Sequence, residues 1–473
     1  FTGNRFKNLT NIIMSGYGFS HQPQKVEKIE TKFRRIHTDI PVPESLSVLE
    51  EVYRNESQSM HGQMPIIWDR AEGFQVYDPW GNCWIDFSST IFVSNAGHGN
   101  KRIIKALKKV LEKPLLHTYT YTSPERAEFL KYLIDNTPSQ FEKAFLLSAG
   151  TEATEAALKL MRLNGEKVGK RKGGVICFEG NWHGRTLGAQ MMGWNPGQKK
   201  WIGYHDPNIH HIAFPYPWQK DAVESPREYF RKNLQKLLSE KQLDAEHDIC
   251  GVMMETFQGW GAVFYPNEFV QEVRKFATEC GALLAFDEMQ AGFGRTGKLF
   301  GYQHYGVEAD LLCCGKGASS SLPLALVLGS QEVMDLPEVG SMSSTHSANP
   351  MACVAGKANL EALLEDSLIE NSRILGNLLH ERLNQIQNKF SEHLAYIQGR
   401  GLLAAAIFMD SNGKPLSSLC DRISELCLQQ GLLVVHTGRE SIKFGPPLMI
   451  DEEALLEGLD VFENAVEIAI GEE

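Results

Sequence analysis

Between about residues 100 and 330, short apolar runs alternate with amphipathic helical patterns. That alternation constrains the fold more than any other feature of the chain. The runs "KAFLLS", "GVICFEG", "DICGVMMET", "ALLAFDEM", "DLLCCG" and "LALVLGS" read as strands with no polar face. Between them, "RIIKALKKVLEK", "TEATEAALKLMRLNG", "REYFRKNLQKLLSEK" and "NEFVQEVRKFATECG" repeat apolar residues at helical spacing. Strands that are apolar on both sides must be covered on both sides. The expectation is an α/β fold: a mostly parallel sheet with helices on both faces.

A chain of 473 residues leaves room for a second domain beside that one. Residues 1–45 are polar and irregular and read as an N-terminal extension or arm. Residues 46–99 hold "GFQVYDPWGNCWIDF" (Gly73–Phe87), a β-hairpin around a Pro-Trp-Gly-Asn turn. Residues 100–350 form the large domain. Residues 351–473 begin with long helical patterns. They continue through "AYIQGRGLLAAAIFMD", a helix at 416–430, "LLVVHTG" and "SIKFGPPLMI". The segments 46–99 and 351–473 together suggest a smaller α+β domain built from both chain ends.

The net charge of −11 argues against a nucleic-acid partner. No apolar run reaches the ~18–20 residues that a membrane helix needs. The N-terminal stretch has no continuous apolar signal core and no initiator Met, so an upstream start is expected. Nine cysteines, an odd number without a Cys-x-x-Cys motif, point to a reducing, cytoplasmic compartment.

Four stretches could carry chemistry. In "SAGTEATEAALKLMR", Gly150 and Thr151 stand where a helix begins, and its N–H groups and dipole suit a phosphate. An ordinary glycine-containing turn is the bland alternative. "FEGNWHGRTLGAQ" offers Trp182, whose indole can stack on a flat ligand. It also offers Arg185, whose guanidinium can clamp a carboxylate. "LLAFDEMQAGFGRTG" puts Asp287 at the end of an apolar strand, where ligands of open α/β sheets bind. Helix capping would explain that residue as well. No metal site is expected, because no His or Cys lies at ligand spacing nearby. "DLLCCGKGASSSLPLAL" sets Lys316 between Gly315 and Gly317 at the end of another such strand. The glycines are expected to supply a sharp turn there. A low-dielectric site would favour the neutral amine, as an aldehyde cofactor requires. A phosphate site, an aromatic, an acid and a lysine at strand ends together suit pyridoxal 5'-phosphate.

These stretches, with "YDPWGNCWIDF", "ETFQG", "STHSANPMAC" and "FGPPL", resemble the class III (ornithine/4-aminobutyrate-type) aminotransferases of pyridoxal-phosphate fold type I. The resemblance covers about 65–465. It implies a homodimer with shared active sites that moves an amino group from a small-molecule donor to a carbonyl acceptor. It makes Lys316 the lysine that holds the cofactor's aldehyde and Asp287 the partner of the pyridine nitrogen. Gln290 falls near the ring hydroxyl, Trp182 and Met289 on the two ring faces, and Gly150 and Thr151 at the phosphate. Thr345 matches a threonine that reaches the neighbouring subunit's phosphate, and Arg185 an arginine that grips a substrate carboxylate. An aminomutase, racemase or decarboxylase on the same fold is the alternative.

Two positions depart from the family pattern. Gln398 of "QGRGLL" stands where many members carry an arginine for the α-carboxylate. Trp260 of "ETFQGWGA" stands where members that use amino acids often carry a glutamate facing that arginine. The paired change implies an amine, ω-amino acid or amino sugar rather than a plain α-amino acid. A competing expectation is that 398–402 is a strand, which would place Arg400 on the same face as Gln398, ~6–7 Å further along.

Overall fold

The computed structural model describes residues 19–62 and 64–472. They fall into two units. The larger comprises 93–96 and 101–370, and the smaller comprises 97–100 together with the described residues up to 92 and from 371 onward.

The larger unit is built on seven strands. In chain order they are β1 (Lys143–Leu147), β2 (Gly174–Phe178), β3 (Ile209–Ile212), β4 (Ile249–Glu255), β5 (Leu283–Asp287), β6 (Leu311–Cys314) and β7 (Ala325–Gly329). Their spatial order is β1-β7-β6-β5-β4-β2-β3. Only β7 runs against its neighbours β6 and β1; every other pair is parallel. Since β7 is reversed against both, β1 and β6 point the same way, and the carboxyl ends of six strands share one edge. β4 is buried along its whole length, as its apolar sequence from Ile249 to Met254 requires. The expected mostly parallel sheet is therefore present, but sequence reasoning passed over β3. Its sequence, Ile-His-His-Ile, alternates in burial at the sheet edge, so it lacks the continuous apolar signal of the central strands.

Helix α1 (Gly150–Lys167) lays Ala153, Ala157, Leu160 and Met161 on the sheet, all without exposed surface. Helix α2 (Asn267–Cys280) buries Phe269, Val270, Val273 and Ala277 in the same manner. The unit runs on past the Pro350 boundary expected from sequence to Glu370, because the helix Pro350–Glu365 packs on the helices Lys101–Leu111 and Pro124–Asp135.

In the smaller unit, Gln75–Tyr77 and Cys83–Asp86 form the expected hairpin, with Val76 opposite Trp84. Asp78 holds the turn by accepting from the N–H groups of Trp80 (2.9 Å) and Asn82 (2.8 Å). Trp84 is fully buried and donates to the Leu428 carbonyl at 2.8 Å. Leu432–Leu433 adds to the hairpin in parallel, so both chain ends meet in one sheet. The short strands Ile29–Glu30 and Arg35–Ile36 join that sheet too, so this part of the expected arm is integral to the unit. The arm's residues 1–18 lie outside the described residues. A second sheet contains Leu394–Gly399, Ala404–Phe408, Ser441–Phe444 and Val435–His436. Ser89, Thr90, Ile91 and Phe92 all have left-handed backbone angles. Such a run costs non-glycine residues about 1–2 kcal/mol each. Ser88 anchors it with N–H and hydroxyl bonds to Asp86 (2.7 and 2.6 Å), and Ser89 with a hydroxyl bond to the Gly445 carbonyl (2.6 Å).

Among the described residues no helix is long and apolar enough to cross a membrane. All nine cysteines are free and buried.

Candidate functional site

The shared carboxyl edge of the sheet holds a cavity of about 220 Å³. Five of the six strands that end there deliver a group to it; β3, at the sheet edge, does not. Residues following β1 supply Gly150 and Thr151, those following β2 supply Trp182 and His183, and β4 ends in Glu255. β5 ends in Asp287, followed by Met289 and Gln290, and β6 leads to Lys316.

Asp287 is buried, with its Oδ2 2.9 Å from His183 Nδ1. With the carboxylate charged, the imidazole donates from Nδ1, which leaves Nε2 as the acceptor 3.4 Å from the Asn181 amide nitrogen. Asn181 Oδ1 accepts in turn from the Tyr265 hydroxyl at 3.3 Å. Tyr265 is fully buried, and that burial pushes its hydroxyl well above the usual range, so it stays a donor. The other Asp287 oxygen accepts from the Met289 N–H at 3.1 Å. The acid is thus fixed in position through both of its oxygens.

Lys316 is half-buried, and its side chain lines the cavity. Desolvation pushes its pKa below the ordinary lysine value, against the opposing pull of Asp287 and Glu255. That shift favours the unprotonated amine, the form that acts as a nucleophile. The turn is made differently from the sequence expectation. Gly315 is extended, at φ −171°, and Lys316 itself takes the left-handed conformation, at φ +45°. That conformation costs a non-glycine residue about 1–3 kcal/mol. The flanking glycines serve close packing instead. A Cβ on Gly315 would sit 2.6 Å from Met289 Sδ, and one on Gly317 would sit 2.3 Å from the Asn95 amide nitrogen. A Cβ on Gly150 would lie 2.7 Å from the same Met289 sulfur, which is therefore flanked on two sides.

Ala149 caps α1 in an extended conformation, and the Glu152 carboxylate reaches back to the N–H groups of Ser148 and Ala149 (2.9 Å each). Thr151 Oγ1 lies 2.5 Å from Thr186 Oγ1, which ties the helix start to the loop carrying Trp182. Sequence reasoning assigned no role to Glu255. Only 5% exposed, it accepts from the N–H groups of Trp182 (3.0 Å) and Gly259 (3.2 Å) and lines the cavity. Its signal was present in the sequence, a carboxylate closing an otherwise apolar run of seven residues.

The structure brings together Gly150, Thr151, Trp182, Asp287, Gln290 and Lys316. Arg185 is exposed and sits 4.5 Å over the Trp182 ring rather than lining the cavity. Trp260 is half-buried and donates to Gln258 Oε1 at 2.8 Å, also outside the cavity lining. Thr345 is exposed, and its carbonyl accepts from His117 Nε2 at 2.8 Å. Gln398 and Arg400 belong to the smaller unit. Gln398 pairs with Ala405 in the Leu394–Gly399 strand. The expected strand over 398–402 does not form. Gly399 (φ +123°) and Gly401 (φ +60°) turn the chain, so Arg400 is not on a strand face shared with Gln398.

Glu288, next to Asp287, is fully buried and accepts from the N–H groups of Gly301 (2.7 Å) and Tyr302 (2.6 Å) and from the Thr256 hydroxyl. Burial pushes its carboxyl up to about 7. The folded state then holds a proton that the unfolded chain releases near pH 4.5. This contribution is fully present below that pH and lost as pH rises through about 7. Denaturant titrations should show Glu288→Gln abolishing about 3 kcal/mol of pH-dependent stability between pH 4.5 and 7.5. An unchanged difference between the two pH values would contradict the assignment.

An amine whose pKa is pushed down, a carboxylate fixed by an imidazole, a helix start with a hydroxyl, and an indole beside them all line one cavity. They fit an aldehyde, a pyridine nitrogen, a phosphate and a flat ring respectively.

Comparison with known proteins agrees in fold and family. The family model for class-III aminotransferases matches residues 57–466. An alanine/serine racemase of Pyrococcus horikoshii is 28% identical over 95% of this chain and 96% of its own. A 4-aminobutyrate aminotransferase of Mycobacterium leprae is 29% identical over 90% and 97%. The solved ornithine aminotransferase of Toxoplasma gondii superposes with a TM-score of 0.79. It is 23% identical and covers 91% of this chain and 96% of its own.

Proposed function

The chain belongs to the class-III aminotransferase family, and from that premise we propose how its own residues carry out the transfer and on what class of substrate. It is a pyridoxal-phosphate-dependent aminotransferase that moves an amino group from a donor to a carbonyl acceptor. Pyridoxal phosphate, when bound, supplies an aldehyde that captures the amine and a ring that draws electrons from the bond to be broken.

Lys316 would hold that aldehyde, and its Nζ, when free, would be placed to move a proton at the substrate Cα. Asp287 would pair with the ring nitrogen, and His183 orients Asp287. Gly150 and Thr151 would bind the phosphate, Trp182 and Met289 would confine the ring, and Gln290 would serve its hydroxyl. Glu255 holds the Trp182 and Gly259 segments against the cavity. One observation carries this reading: an amine pushed down in pKa faces the same cavity as a carboxylate anchored on a buried imidazole.

Thr345 serves the partner's phosphate in a homodimer. Exposed Leu111, Leu115, Leu116, Tyr119 and Tyr121 support such an interface, and His117 links that segment to Thr345. The buried thiols support a cytoplasmic setting.

The amino substrate is an amine, ω-amino acid or amino sugar, not held by an α-carboxylate at position 398. Arg185 serves a distal carboxylate or the second substrate. The test is a donor panel in which the cofactor's visible spectrum is followed in single half-reactions. Amines and ω-amino acids are expected to react, ordinary α-amino acids poorly. Gln398→Arg should raise reaction with α-amino acids, while Arg400→Ala changes little. If Arg400→Ala instead raised KM for a carboxylate-bearing donor by roughly tenfold, about 1.4 kcal/mol, the non-carboxylate reading would fail. The racemase among its relatives favours one second reading: Cα-proton exchange without net amino transfer. Stoichiometric keto product from donor alone excludes it.

A further inference from the structure

Two uncharged segments of the larger unit meet beside the cavity. One is 213–218, Ala-Phe-Pro-Tyr-Pro-Trp. The other is the hairpin Phe257–Gln258 with Val263–Phe264, whose turn carries Trp260. Neither segment contains an Asp, Glu, Lys or Arg. Their rings form an ordered cluster. Tyr216 stacks on Trp218 with centroids 4.8 Å apart and planes at 16°. Trp218 meets Trp260 edge-on, at 6.3 Å and 65°. All three are half-buried.

Gln258 organises the cluster. Its Oε1 accepts from both the Tyr216 hydroxyl and the Trp260 indole N–H, each at 2.8 Å, and its amide nitrogen donates to the Glu179 carbonyl. The polar edges of Tyr216 and Trp260 are thereby directed at one internal acceptor. The space for Gln258 depends on Gly180, where a Cβ would lie 2.4 Å from the Gln258 amide nitrogen and 2.8 Å from the Tyr216 hydroxyl.

The cluster is coupled to the cavity through the backbone. Phe257 lines the cavity, Glu255 lines it too, and Glu255 accepts from the N–H of Gly259, the residue before Trp260. A Cβ on Gly259 would lie 2.5 Å from the Gln290 amide nitrogen, and Gln290 lines the cavity, so the turn that carries Trp260 borders the cavity. Two indoles at a steep angle recognise a flat ring by its face and edge.

Resting on the transamination reading above, we propose that Tyr216, Trp218 and Trp260 form a specificity subsite for a flat, uncharged ring carried by the amine substrate. An aryl group and the CH face of a pyranose share that chemistry.

The test uses the holoenzyme and three amines: 2-phenylethylamine, a 2-amino-2-deoxyhexose and n-heptylamine. Half-reactions are followed by cofactor absorbance, and binding by quenching of tryptophan fluorescence. At least one ring-bearing amine should exceed n-heptylamine about tenfold in specificity. Trp218→Leu, which keeps an apolar side chain without the ring, should reduce that ratio to near one and weaken the quenching. Preference for the phenyl or for the sugar assigns the ring. Equal specificity for all three in the wild type would overturn the subsite without any variant, as would an undiminished ratio in folded Trp218→Leu. If no amine reacts at all, the transamination reading has failed. Quenching then still decides the subsite: selective binding of a ring amine sustains it, and equal binding of ring and linear amines overturns it.

Discussion

Lys316→Ala is expected to abolish turnover and to remove the visible absorbance of lysine-bound pyridoxal phosphate. Among the described residues, Lys316 is the one lysine that lines the cavity. The loss should exceed that of any other single substitution, because the same nitrogen holds the aldehyde and moves the proton. A second comparison isolates the backbone from the chemistry. Lys316 is left-handed at φ +45°, a conformation that alanine resists and glycine accepts. Cofactor-free Lys316→Gly should therefore be more stable than Lys316→Ala by about 1 kcal/mol, as read from denaturant unfolding. Borohydride fixation of the cofactor on a different lysine would refute the assignment.

Asp287→Asn should keep the cofactor but lose activity by on the order of 10²-fold or more, the scale of removing one preorganised electrostatic partner. An amide cannot hold the ring proton by charge. The substitution also turns the His183 contact from a charged hydrogen bond into a neutral one, and His183 Nδ1 meets either the amide oxygen or its NH₂. Cofactor content measured after dialysis separates a binding defect from a catalytic one. Near wild-type turnover in a fully loaded variant would dismiss the role.

Much of this arrangement was legible in the sequence because it follows from burial. Strands apolar on both faces can only lie inside a covered sheet, and a parallel sheet collects its strand ends at one edge. Asp287 and Lys316 could be placed at that edge by reading where apolar runs stop. The failures have equally physical causes. β3 was passed over because His210 and His211 interrupt its apolar pattern at the sheet edge. The turn at Lys316 was credited to its glycines, but here they answer to the bulk of Met289 and Asn95, which no local pattern reveals. The period-two relation between Gln398 and Arg400 failed because Gly399 and Gly401 end the strand. Glu255 escaped notice because its partners, Trp182 and Gly259, include one 73 residues away in sequence.

The Met289 sulfur, flanked by Gly150 and Gly315, has a consequence for how this site can change over generations. A methyl group added at either glycine pushes the thioether toward the other glycine or into the cavity, so the harm falls on ligand room rather than on folding. Replacing Met289 first by a shorter side chain removes the conflict on both sides at once. The three positions are therefore epistatic. Substitutions at 150 and 315 become acceptable only after one at 289, and variant libraries that sample the glycines on the native background would record as forbidden what is merely out of order.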